Sequence, residues 1–241
     1  ASLVEQAAMA QPASGPLRVH PKKPRYFTEN GERAILLTGS HTWNNLIDMG
    51  TTDPPVAFDY SAHLDWLVDY QHNFFRLWAW ELLSWNTRGN RENTIHHVSP
   101  HPWDRTGPGK ALDGKPKFDL QQFNEPYFDR LRDRVKAAQD RQLYPAVMLF
   151  EGWGIQFSPD AWSHHPFHPK NNVNGIDGDL DGDGKGLEIH TGRSQEVTEL
   201  QLAYVRKVID TVNEFDNVLF EIANENHPPS AEWQYEMIRF I

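Results

Sequence analysis

Several groups of residues have the types and spacing to do chemistry. Two apolar runs carry charged groups at alternating positions: Arg76 in NFFRLWAWE (Asn73 to Glu81), and Glu221 and Glu225 in and just after FEIANEN's apolar stretch (Phe220 to Asn226). Successive side chains of an extended chain point to opposite faces, so Leu219, Glu221, Ala223 and Glu225 share one side, and Arg76, Trp78 and Trp80 share one side of theirs. If both sides line one interior, Arg76 and Glu221 are buried and can pair; each needs some partner, because a buried charge without one is very costly, and for Arg76 a catalytic carboxylate is at least as good a candidate.

A second group is aromatic. The sequence holds nine Trp, and Trp43, Trp80, Trp85, Trp103, Trp153 and Trp162 fall at strand ends or in long connections. Indole rings stack on the apolar C–H face of a sugar, so such a rim points to a carbohydrate. Trp66 and Trp233 lie in helical patterns and read as packing residues.

The segment DGDLDGDGKGLE, Asp177 to Glu188, has the spacing of an oxygen-ligand calcium loop. Asp177, Asp179, Asp181 and Asp183 alternate with other residues, and Glu188 stands at the twelfth position. Carboxylates turned toward one point repel one another without a cation, so a structural Ca²⁺ is expected. Gly184 replaces the usual apolar eighth residue, and no helix pair flanks the segment, which makes it a loop site and not an EF-hand. The twelve His raise a zinc reading, above all His164, His165 and His168 in SHHPFH with His96, His97 and His101. Catalytic zinc needs ligands fixed on a rigid element. Pro166 and Pro169 break any helix there, so bonds to sugar hydroxyls or backbone are the better account.

Composition sets the outer limits. The 241 residues are 39% hydrophobic and 23% charged, with net charge −10 and no cysteine. Disulfides, thiolate metal sites and a cysteine nucleophile are excluded. The acidic balance argues against a nucleic-acid partner, whose phosphates call for clustered Lys and Arg. Mean hydropathy is −0.66, and no run approaches the roughly 20 apolar residues of a spanning helix, so no membrane partner is expected. Residues 1–16 read as a flexible arm, a leader remnant, and residues 17–241 as the folded part. A secreted or periplasmic location fits better than a cytoplasmic one.

The elements that must position these groups follow from periodicity. Ala34 to Thr38, Phe74 to Trp80, Tyr144 to Phe150 and Val218 to Ala223 are short apolar runs that read as strands covered on both faces. Helical patterns lie between them: Tyr60 to Tyr70, a segment starting at Asp119 with apolar positions from Leu120 to Ala138, and Val197 to Val212. The alternation predicts an α/β fold with parallel strands and right-handed crossovers. Helices return to strands through a few residues, whereas Glu81 to Lys117 and Gly152 to Arg193 are long. Long connections following the strands mark the functional face of such a barrel.

With those elements in place, FEIANEN and NFFRLWAWE together resemble the clan of retaining glycoside hydrolases built on a TIM-type (β/α)₈ barrel. ENGERAILLTGSHTW, Glu29 to Trp43, resembles the first strand of cellulase-like and apiosidase-like members. The similarity runs from about Leu17 to the C-terminus. It implies polysaccharide degradation with no catalytic cofactor, Glu225 as acid/base, Asn224 as a contact to the substrate 2-hydroxyl and Arg76 as partner of the nucleophile. His41, Trp43, Trp80, Glu81, Glu151 and Trp153, at or just beyond strand ends, are expected to bind substrate.

Retaining hydrolysis needs two carboxyls about 5 Å apart, one giving a proton and one attacking the anomeric carbon. In the clan the nucleophile ends strand seven, and only the first four β/α units are read here. The sequence therefore looks like the N-terminal half of a barrel, completed by a longer chain, a second polypeptide or a homodimer. The rival readings are a carbohydrate-binding pseudoenzyme and a metal-dependent hydrolase using the loop histidines.

Overall fold

The computed structural model describes residues 15–89 and 91–241. Apart from Gly15 and Pro16, the arm expected at 1–16 lies outside the described residues. The elements in order are β1 (Arg18–Val19), β2 (Phe27–Thr28), β3 (Asp48–Gly50), α1 (Tyr60–Asp69), β4 (Phe74–Trp78), β5 (Ser84–Asn86), β6 (Ile95–Ser99), β7 (Trp103–Asp104), β8 (Asp119–Phe123), α2 (Glu125–Asp140), β9 (Tyr144–Glu151), α3 (Gly152–Phe157), α4 (Gln195–Val212), β10 (Leu219–Asn224) and α5 (Ala231–Phe240). None of the described helices is long and apolar enough to cross a membrane.

The centre is a parallel sheet ordered β4-β9-β10, with Arg76 opposite Ala146 and Glu221 opposite Met148. All eight residues of β9 are buried, as a strand covered on both faces requires. Helices α2 and α4 press Leu131, Val135, Val205 and Val208 into the core shared with Leu77, Val147 and Leu149. Helices α1 and α4 occupy the places that periodicity predicts, and α2 covers the C-terminal part of its predicted segment.

Helices α1 and α2 end alike. Gln71 and Gln142 take left-handed φ values of 59° and 63°. His72 N then donates to Leu67 O, and Leu143 N to Ala138 O, both at 2.9 Å, so the freed carbonyls are satisfied and the chain turns at once into β4 or β9.

Two expectations are corrected. Ala34 to Thr38 is not a ladder strand: it makes an antiparallel bridge between Ile35 and Phe27 and, just past it, a parallel bridge between Gly39 and Phe74. The Asn73 side chain takes the place of a strand, accepting from Thr38 N at 2.8 Å and donating to Leu36 O at 3.0 Å. The described parallel sheet therefore has three strands and not four. The second correction concerns α2, which begins at Glu125 and not near Asp119. Pro126 lacks an N–H and is tolerated only in the first turn of a helix. Asp119 to Phe123 instead forms β8 against β7, held by Asn174 Oδ1, which accepts from Leu120 N at 2.7 Å.

The two long segments are ordered. In the first, β5 and β6 form an antiparallel sheet with β3. In the second, fully buried Asn171 and Asn172 act as staples: Asn171 Nδ2 donates to Ser163 O and His165 O, and Asn172 Nδ2 to Pro166 O, His168 O and Ile176 O.

Helix α4 is capped by Ser194, whose hydroxyl accepts from Val197 N. Ser194→Ala should lower stability by about 1 kcal/mol, read as a lower urea midpoint at unchanged slope.

Candidate active site

At the C-terminal ends of β4, β9 and β10 lies a cavity of about 300 Å³. Arg76, Trp78 and Trp80 line it from β4 and the residues after it, Glu151 and Trp153 from the β9–α3 junction, and Asn224 and Glu225 from the end of β10. His41 and Trp43 close it from the segment after the first apolar run.

The floor is a charge network. Arg76 Nε donates to Glu221 Oε2 at 2.7 Å, a second guanidinium N–H donates to Glu221 Oε1, and the same nitrogen donates to Asn224 Oδ1 at 3.0 Å. The guanidinium carbon also lies 4.1 Å from the centroid of the Trp78 ring. The pairing of Arg76 with Glu221, one of the partnerships that strand alternation allows, is present.

Immediately after Asn224 the chain turns sharply. Glu225 has a left-handed φ of 46°, uncommon for a residue with a side chain and typical of functional sites. Its carbonyl accepts from Gln156 Nε2 at 2.6 Å, which fixes the turn against α3. The turn also needs Gly152, because a Cβ there would stand 1.5 Å from Asn226 Oδ1.

The wall is aromatic. His41 stacks on Trp78 at 5.6 Å, and Trp43 lies 5.4 Å from Trp85 and 6.3 Å from Trp153 between ring centroids. Trp43 is 43% exposed, so part of its indole is accessible where it lines the cavity. Of the residues expected to bind substrate or act on it, all but Glu81 line the cavity. Trp78, not among them, lines it too; its signal was the i, i+2 alternation with Arg76 and Trp80.

Glu81 sits behind the cavity. Its Oε2 accepts from the Glu151 backbone N–H at 2.7 Å, and its carboxylate meets His190 Nε2 at 3.2 Å and His165 Nε2 at 3.5 Å. His165 Nδ1 accepts from Phe167 N at 3.0 Å, so a neutral ring carries its hydrogen on Nε2, facing Glu81. Burial opposes the Glu81 charge, yet His190 and His165 outweigh it and hold the carboxyl down at about 2.

Glu151 is the opposite case. It is 2% exposed, and its oxygens accept from Trp153 N at 2.9 Å and Gly154 N at 2.7 Å. Burial dominates nonetheless; the Gly154 N–H opposes it, the Glu81 charge reinforces it, and the carboxyl is pushed up to about 8.

In the Asp-Gly segment, Asp179, Asp181 and Glu188 bring ligand oxygens within 4.8 Å of one another. Asp177 Oδ1 accepts from Asp179 N, and Asp183 pairs with Lys185. Among the described residues this is the one group of three or more side chains placed to hold a metal ion; the loop histidines form none. Trp103 and Trp162 are buried, and Trp233 packs in the core with its Nε1 donating to Gln201 Oε1 at 2.9 Å.

Solved structures share this arrangement of strands. A glycoside hydrolase family 5 protein from Bacteroides vulgatus ATCC 8482 superposes with a TM-score of 0.53 at 13% identity, over 97% of this chain and 38% of its own. A family 5 mannosidase from Rhizomucor miehei superposes with a TM-score of 0.53 at 16% identity, over 94% of this chain and 53% of its own. The fold is thus glycoside hydrolase-like, and the chain spans between about a third and about half the length of these neighbours. No curated relative matches the sequence. The chain belongs to the family described as Domain of unknown function (DUF6298), which matches residues 96–237.

Glu151 generates a stability prediction. Its carboxyl has an ordinary value of 4.5 and stands at about 8 in the fold. Across that window the folded protein holds the extra proton, so this group's contribution to stability is complete below 4.5 and is lost as pH rises toward 8. Glu151→Gln carries no such proton. Urea midpoints taken across the window should fall for wild type relative to the variant, whereas parallel profiles would contradict the assignment.

Proposed function

We propose that this chain carries the acid/base part of a retaining glycosidase acting on a β-linked oligo- or polysaccharide. The observation that carries the reading is the end of β10. Asn224, oriented by Arg76, is followed by Glu225 at a left-handed turn into a cavity walled by His41 and four indoles, Trp43, Trp78, Trp80 and Trp153. In this reading Glu225 first protonates the glycosidic oxygen as the bond to the anomeric carbon breaks, while a carboxylate attacks that carbon. Glu225, now ionised, then takes a proton from the water that displaces the enzyme-bound sugar.

The attacking carboxylate is assigned to a segment outside this sequence. Glu221 is held by Arg76, and Glu151 is buried with both oxygens on backbone N–H groups. Among the described residues, β10 has no strand neighbour beyond β9, and the solved neighbours are about two to three times as long as the matched region. Further strands pairing at the free edge of β10 would close the barrel and bring the nucleophile to the cavity. We assign these to a longer chain.

Glu225→Gln, made in the protein that includes those strands, should lower kcat/KM by about 10²- to 10⁴-fold while oligosaccharide binding by calorimetry survives. The polypeptide of 241 residues alone should bind and not turn over aryl glycosides. Binding with no turnover in any form of the protein would favour the pseudoenzyme.

A structural Ca²⁺ is proposed between Asp179, Asp181 and Glu188, supported by a buried Glu188 oxygen, Oε2, that has no protein partner. Calcium should raise the thermal midpoint, and Asp181→Ala should remove that increment; equal midpoints with calcium and with chelator would exclude the site.

A further inference from the structure

We propose that Glu151 is a positioning residue for the sugar site, its carboxyl setting the amide of Asn224 and the Trp153 wall together. This rests on the reading of the cavity as a glycoside site. Asn224 has its carbonyl oxygen committed to Arg76 at 3.0 Å, which leaves its NH₂ group toward Glu151, 3.4 Å from Oε1. The amide is therefore fixed from both ends: a flipped Asn224 would turn its NH₂ toward a guanidinium that can only donate. One N–H is directed at Glu151, and the other remains for the cavity that Asn224 lines.

The same carboxyl that receives Asn224 also caps α3. Its Oε1 accepts from Trp153 N as well, and Trp153 forms part of the indole wall. Thus one carboxyl oxygen receives both a hydrogen-bond donor and the backbone of a stacking residue of the cavity. Its own position is set from behind, where Glu81 accepts from the Glu151 N–H and is anchored by His165 and His190. The other charged or titratable groups around it are Arg76 and Glu221 in the sheet, and Glu225 and His41 across the cavity.

This arrangement has a signature that a structural cap alone lacks. When Glu151 ionises, the acceptor strengthens simultaneously for Trp153 N, Gly154 N and Asn224 Nδ2, because charged acceptors bind more strongly than neutral ones. In the ¹⁵N-labelled protein, the Asn224 side-chain amide and the Trp153 and Gly154 backbone amides should shift with one common midpoint near pH 8. Glu151→Gln should flatten all three profiles. It should also weaken binding of a β-linked oligosaccharide by about fivefold, with little further loss on adding Asn224→Ala. If Trp153 and Gly154 titrate together in wild type while Asn224 stays flat, Glu151 is a helix cap only and the proposal falls. That measurement needs neither the variant nor a sugar. A common midpoint with no oligosaccharide binding would uphold the Glu151–Asn224 coupling and overturn the glycoside reading instead.

Discussion

A guanidinium inside a parallel sheet must find acceptors, and Arg76 finds Met148 Sδ on β9, at 3.3 Å, and three oxygens beyond it. Two are the oxygens of Glu221 and one is the amide oxygen of Asn224, both on β10, which is separated from β4 by the whole of β9. The bond therefore crosses the central strand and sets the distance between its two neighbours. Because the pair is only partly exposed, removing one partner would leave the other as a poorly solvated charge. The sheet geometry at the cavity floor and the orientation of Asn224 are one constraint, not two.

Around that constraint the carboxyls divide by environment. Glu81 is kept ionised by histidines brought in from the second long segment, whereas Glu151, one hydrogen bond away, is desolvated and beside a like charge. Neighbouring acids pushed in opposite directions allow one to serve as an anchor and the other to hold a proton near neutral pH. Glu225 differs from both because it leaves the strand in a left-handed turn and reaches an open part of the cavity. The long segments thus do more than cover the strand ends: the second one, through His165 and His190, determines the charge behind the floor.

The sequence made much of this readable where local pattern and final structure coincide. Alternation in FFRLWAW and LFEIA put Arg76 and Glu221 on faces that can share one interior, and the positions of His41, Trp43, Trp153 and Glu225 at or beyond the ends of apolar runs put them around one cavity. Other features depended on partners far along the chain. Glu81 looks like one more strand-end acid until His165 and His190, more than eighty residues away, draw it behind the cavity. The first apolar run resembles a strand by composition, but it forms only isolated bridges, and two of its backbone groups bond the Asn73 side chain, a substitution that periodicity does not register. The start of α2 could have been found from Pro126 alone, since helical spacing upstream of it cannot override the missing N–H.

The two adjacent staples, Asn171 and Asn172, tie the two parts of the second long segment together, Asn172 bonding Pro166 O upstream and Ile176 O downstream. Upstream of them lie Trp153 and His165; downstream lies the Asp-Gly stretch, which packs on the core at Ile176 and Leu187 and, through buried Gly178 and Gly186, against Trp162 before Ile189 and His190. The stretch is therefore clamped where it leaves the core and where it returns, since a Cβ at Gly178 or Gly186 would run into Trp162, and only its tip around Gly182 and Gly184 stands in open space.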